Sequence, residues 1–203
     1  KATSVTVSDV TLNDGDRATT DKAGTVTKRG PGEENYNVMF SDGVLYLSNA
    51  TIVALSEPHG ISAEGDITID ISGTNSVTGG SNSQGAEEAS DGIFAKGDII
   101  ITSTSDSNGG SLTAAGGAAT YSGGIYSSGG DVTINGDVEK ITAKGEKAAS
   151  GSVGIGAEAG NVIINGGTVE ATGDEATTNG ASNGIWAAGD EAGEIYINGG
   201  SVT

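Results

Sequence analysis

The chain has no cysteine, one histidine, two prolines and only 4% aromatic residues over 203 positions. Without thiols there can be no disulfide, zinc–thiolate centre or cysteine nucleophile. A single imidazole, His59, argues against a catalytic triad or a histidine metal site. Cations are also scarce: nine Lys and Arg face 27 Asp and Glu, a net charge of −18. Nucleic-acid binding needs a basic face to neutralise phosphates, so that partner class is excluded. The apolar clusters are four to eight residues long, too short for a membrane span. No charged-then-apolar leader follows Lys1, so any export signal is expected to have been removed or to lie outside this stretch.

Large aliphatics are few as well. Leu 5, Ile 18, Val 14 and Phe 2 make 39 of 203 residues, and Gly contributes 36. A highly charged chain below roughly 20% of such residues usually stays unfolded. Here Ile and Val supply 32 of the 39 and are spaced regularly.

Gly-Ile pairs begin at Gly60, Gly92, Gly124, Gly154 and Gly184, at intervals of 32, 32, 30 and 30. A second element follows in each unit: DITI (66–69), DIII (98–101), DVTI (131–134), NVII (161–164) and EIYI (194–197). A third reads SVTG (76–79), SLTA (111–114), KITA (140–143), TVEA (168–171) and SVT (201–203). A degenerate earlier copy is NVMF (37–40), VLYL (44–47) and TIVAL (51–55). Alternating β-branched runs separated by Gly, Asp and Asn are strand-and-turn chemistry, and no segment sustains a 3.6-residue period.

Three short strands per unit of 28–35 residues, stacked on themselves, predict an all-β parallel β-helix of about six coils. A right-handed winding follows from the general preference for right-handed crossovers. Stacking places each aliphatic on its equivalent above and below, which is how so few can suffice. Four files are expected. They are Ile61/Ile93/Ile125/Ile155/Ile185, Ile67/Ile99/Val132/Val162/Ile195, Ile69/Ile101/Ile134/Ile164/Ile197 and Val77/Leu112/Ile141/Val169/Val202. Asn135, Asn165 and Asn198 follow the second strand, with Asp70 and Thr102 in the earlier slots, and predict a structural side-chain ladder. Residues 1–35 read as a cap strand followed by a polar loop (14–35), and 36–203 as the helix proper. The last coil ends at Ser201-Val202-Thr203 without a polar cap, so its edge is expected to be covered by further chain or by a partner.

The run NVMFSDGVLYLSNATI (37–52), with its GIxAxGDITI and INGGTVEATG units, resembles repeats in secreted surface proteins of gut and environmental Firmicutes. It is similar, more loosely, to a clostridial right-handed parallel β-helix family of carbohydrate-binding, pectate-lyase-like proteins. The resemblance covers residues 37–203. It implies an extracellular, cell-wall-associated protein with a polysaccharide ligand and a role for calcium. Where that family tends to carry acidic pairs before the second strand, this chain has Gly-Asp.

Three of the few aromatics occupy one repeat position, outward on the first strand: Phe94, Tyr126 and Trp186, with Ser62 and Gly156 in the other copies. An exposed row of rings suits sugar faces, and Gly156 is expected to leave a gap between Tyr126 and Trp186. The alternative is that the loops at 80–91, 115–123, 144–153 and 172–183 fold over these rings into a second small core. Acidic residues recur before the second strand at Glu64, Asp66, Asp98, Asp131, Asp190, Glu191 and Glu194. Asp66, Asp98 and Asp131 are the candidate Ca²⁺ ligands, since stacked carboxylates repel unless a cation lies among them; ordinary turn chemistry also places Asp there.

Enzymatic patterns are thinner. Arg17 and Arg29, the only arginines, lie outside the regular coils. His59-Gly60 is similar to the His-Gly of polygalacturonases, but its Asn-Thr-Asp and Asp-Asp partners are absent, and His59 is expected in a tight turn after Pro58. The expectation is therefore a cell-surface or secreted binding module for a polysaccharide or cell-wall glycan, without membrane insertion, monomeric or part of a longer chain. The alternatives are a rigid spacer or protein-binding adhesin stalk and, third, a polysaccharide lyase.

Overall fold

A computed structural model describes residues 1–81, 89–104, 109–178, 180–189 and 192–203. The chain opens with β1 (Ser4–Val7), β2 (Val10–Asn13), β3 (Arg17–Thr20), β4 (Val26–Lys28), β5 (Val38–Ser41), β6 (Val44–Ser48) and β7 (Thr51–Val53). Regular coils follow: β8 (Ile61–Ala63), β9 (Ile67–Ser72) and β10 (Thr74–Thr78), then β11 (Ala89–Ala95), β12 (Ile99–Thr102) and β13 (Ser111–Ala115). The next are β14 (Tyr121–Ser127), β15 (Val132–Ile134) and β16 (Lys140–Gly145), then β17 (Gly151–Ala157), β18 (Val162–Ile164) and β19 (Thr168–Gly173). The last is β20 (Ala181–Ala187), β21 (Ile195–Ile197) and β22 (Ser201–Val202).

Equivalent strands pair in parallel to form three sheets. Sheet A runs β8-β11-β14-β17-β20, sheet B β6-β9-β12-β15-β18-β21 and sheet C β7-β10-β13-β16-β19-β22. The fold is a parallel β-solenoid, as the periodicity predicts. It makes about four complete turns, from β8 to β20, rather than six. The degenerate copy at 37–55 is not a full coil. Its β5 and β6 form an antiparallel hairpin around Asp42 and Gly43, both at positive φ (52° and 72°), the backbone of a tight two-residue turn.

Residues 1–43 close the first end. β1 lies antiparallel to β8 and β2 to β1, extending sheet A, while β5, β3 and β4 extend sheet B antiparallel. The segment 14–35, expected as a loop, thus contains two strands that contribute buried Ala18 and Val26. The alternation in RATT and VTK is too short to stand out in sequence.

Three of the four expected aliphatic files pair residue for residue, the Ile61, Ile67 and Ile69 series. The fourth is corrected at its start. Val77 aligns with Ala114 and with Ile52, whereas Leu112 aligns with Asn75. The reason lies at the corner: β9 runs into β10 through Gly73 alone, and Asn75 points inward there. Its Oδ1 accepts the Ala50 amide (2.9 Å) and its Nδ2 donates to the Ser72 carbonyl (3.0 Å), which satisfies a buried polar side chain. A two-residue slip moves no side chain to the opposite face, so alternation could not exclude it.

Candidate functional site on the outward face of sheet A

Phe94 and Tyr126 are cross-strand neighbours; Tyr126 then faces Gly156, and Gly156 faces Trp186. All three rings are half-buried. Gly156 does not leave a gap. A Cβ there would lie 2.7 Å from Tyr126 Cδ2, so the tyrosine ring already fills that space. Tyr126 and Trp186 consequently approach to 6.4 Å between centroids with planes 5° from parallel, within the range of an interacting aromatic pair. On the same strand, exposed Tyr121 faces Gly151 in the same way, and a Cβ there would lie 3.1 Å from its Cδ1. The glycines make room for rings from the preceding coil.

At the other end of the row, His59 does not merely occupy a turn. Its ring stacks on Phe94 at 4.5 Å and 12°, and its Nδ1 lies 3.1 Å from Oδ2 of Asp91. The Asp91 amide also points at Nδ1, at 3.2 Å. One nitrogen cannot both accept from that amide and donate to the carboxylate, so the pair has two hydrogen-bonding arrangements. Asp91 is buried at 2% exposure. Burial pushes its carboxyl above the usual range, while His59 and the Gly123 amide pull the other way. The Tyr126 phenol is also raised, first by burial and then by the Glu158 carboxylate that accepts its hydroxyl at 3.1 Å.

The acidic positions before the second strand form a backbone ladder. Asp66 Oδ1 accepts the Asp98 amide (3.2 Å), Asp98 Oδ1 the Asp131 amide (2.9 Å), and Asp131 Oδ1 the Asn161 amide (2.7 Å). Asn161 Oδ1 continues it to Glu194 (2.9 Å). Each side chain thus satisfies a turn N–H one coil further on, which explains why acceptors recur here. Asp66 also binds the Lys1 amino group at 3.0 Å. Among the described residues no three His, Asp or Glu side chains converge as a metal cage. Asp190 and Glu191 lie outside the described residues. Of the expected asparagine ladder, Asn198 Nδ2 donates to Asn165 Oδ1 at 2.8 Å, while Asn135 is joined to the coil before it through its backbone amide, which donates to the Ile101 carbonyl at 2.9 Å.

A file of buried serines lies outside the expected site residues. Buried Ser90, Ser122 and Ser152 stand two residues before the glycine in the three middle Gly-Ile pairs, and their hydroxyls accept the amides of Gly117, Glu146 and Asp174. The repeated Ser-x-Gly-Ile was its signal. These bonds anchor the loops from sheet C back to sheet A. The loops also stack on one another, as in Thr177 N to Ala148 O (3.0 Å) and Ser150 N to Thr120 O (2.8 Å).

No protein-family model, curated protein or solved structure matches this chain. What the structure itself establishes is the stacked parallel solenoid.

Proposed function

We propose that this protein is an extracellular, cell-surface binding module that takes a polysaccharide on the outward face of sheet A. One observation carries this: Phe94, Tyr126 and Trp186 lie in a single register row, half-exposed, with two of the rings nearly parallel. Pyranose rings bury their C–H faces against aromatic faces, and a row fixed by backbone pairing is ordered before ligand arrives, which reduces the entropy lost on binding. The strongly acidic surface and the sequence resemblance support an exported, cell-wall setting. Retention on a panel of bacterial, plant and host glycans tests the proposal. Trp186→Ala should reduce retention at least several-fold, and unchanged retention on every glycan would count against it.

A rigid spacer or protein-binding stalk is the second proposal, favoured by the continuous main-chain pairing along the axis. Silence across the glycan panel would support it.

A further inference from the structure

The carboxylates beside the aromatic row indicate the charge of its ligand. Exposed Glu158 stands two residues beyond Gly156 and accepts the Tyr126 hydroxyl. At the adjoining turn, Asp98 and Asp131 give Oδ1 to the backbone of the next coil. Among the described residues none of these three forms an ion pair. The four lysines of the coils are already engaged: Lys96 with Glu64, Lys140 with Glu170, Lys144 with Glu146 and Lys147 with Glu175. Successive coils are about 4.8 Å apart, so Asp98 and Asp131 stand about one strand spacing from each other. Together with Glu158 they leave uncompensated negative charge along the edge of the ring row.

Such a field draws in cations and repels anions, and the net charge of −18 reinforces it. A uronate or phosphate polymer would bring like charge to this edge. A neutral glycan would gain nothing from it. Protonated amines would gain charge-assisted hydrogen bonds to oxygens that the fold leaves free. We infer that the ligand is a polysaccharide bearing free amino groups, its sugar faces on Tyr126 and Trp186 and its ammonium groups at Glu158, Asp98 and Asp131. This rests on the aromatic row being the binding face.

The test compares a β-1,4-linked glucosamine oligomer, its fully N-acetylated counterpart and an oligogalacturonate, at mildly acidic pH and at low and raised salt. The amino oligomer should bind tightest and weaken as salt rises. The triple variant D98N/D131N/E158Q, which keeps one carbonyl oxygen at each position for its existing hydrogen bond but removes three charges, should bind it about tenfold more weakly. Salt titration of the unaltered protein measures the same contribution if that variant folds poorly. Equal, salt-independent binding of the N-acetylated oligomer, or preference for oligogalacturonate, would overturn the cationic ligand while leaving the aromatic row as the site. Retention of the amino oligomer that Trp186→Ala leaves unchanged, or no retention of any of the three or of any glycan in the panel, would remove both.

Discussion

The first and last coils of this chain are built from the same kind of strand and differ in the strands packed against them. At the first end, antiparallel β1 and β5 cover the edges of sheets A and B, and Val5, Leu12, Phe40 and Leu45 are fully buried. At the last end, Ile195, Tyr196 and Ile197 are 46%, 43% and 56% exposed, although each continues a file or row that is buried or half-buried one coil earlier. Identical chemistry thus has opposite burial. In a stacked fold an aliphatic is removed from water by its neighbours along the axis, not by its own coil.

The largest effect should come from breaking this contrast directly. Phe40→Ala, inside the covered end, is expected to destabilise by about 3–5 kcal/mol. Ile197→Ala, in the last coil, should cost under about 1 kcal/mol in this chain, because its side chain is already 56% exposed. Urea unfolding of both variants checks the difference. Similar losses would show that the last coil is as well packed as the first.

Between the ends, Gly156→Ala should destabilise by about 1–3 kcal/mol, because its Cβ would collide with the Tyr126 ring. Trp186 fluorescence should shift as the pair separates. A silent substitution with unchanged fluorescence would mean that Tyr126 moves away freely.

The buried carboxyl near the covered end predicts an unusual pH response. Burial raises Asp91, so the folded state holds that proton to higher pH than the unfolded chain does. Its contribution to stability is fully present below the unfolded carboxylate pKa and is lost as pH rises through the folded one. Asp91→Asn should therefore flatten the acid side of the stability–pH curve and relieve the loss at neutral pH. An unchanged curve would place the carboxylate in compensating contact with His59 throughout.

The smallest effects belong to the ladders. Asp98→Ala orphans the Asp131 amide and should cost about 0.5–1.5 kcal/mol, with Asp98→Asn costing less. Melting curves with millimolar Ca²⁺ or a chelator sharpen this. A rise in Tm with Ca²⁺ that is lost in Asp98→Asn would add an ion to the backbone role of the row, and no shift would leave the backbone role alone.

Much of this was legible in the residues. The Gly-Ile spacing and the β-branched triplets specified three sheets and three of the four files, because stacking repeats one side-chain environment at one interval. Val77 was misaligned because a two-residue slip preserves the in–out pattern, and only the hydrogen bonds of Asn75 distinguish the registers. The serine file was present as Ser-x-Gly-Ile but is chemically indistinct from turn serine until its loop amide partners are located.

Asp91 was not legible at all. Next to a glycine in a polar stretch it reads as a turn residue, and its burial against His59 arises from two coils whose contact spans 32 positions. Periodicity determined the solenoid because the same interval recurs in every coil. Pairings peculiar to one place along the axis, such as His59 on Phe94 or Tyr126 over Gly156, were decided only when the coils closed. They depend on which unlike side chains meet across one rung, and a repeat carries no record of its exceptions.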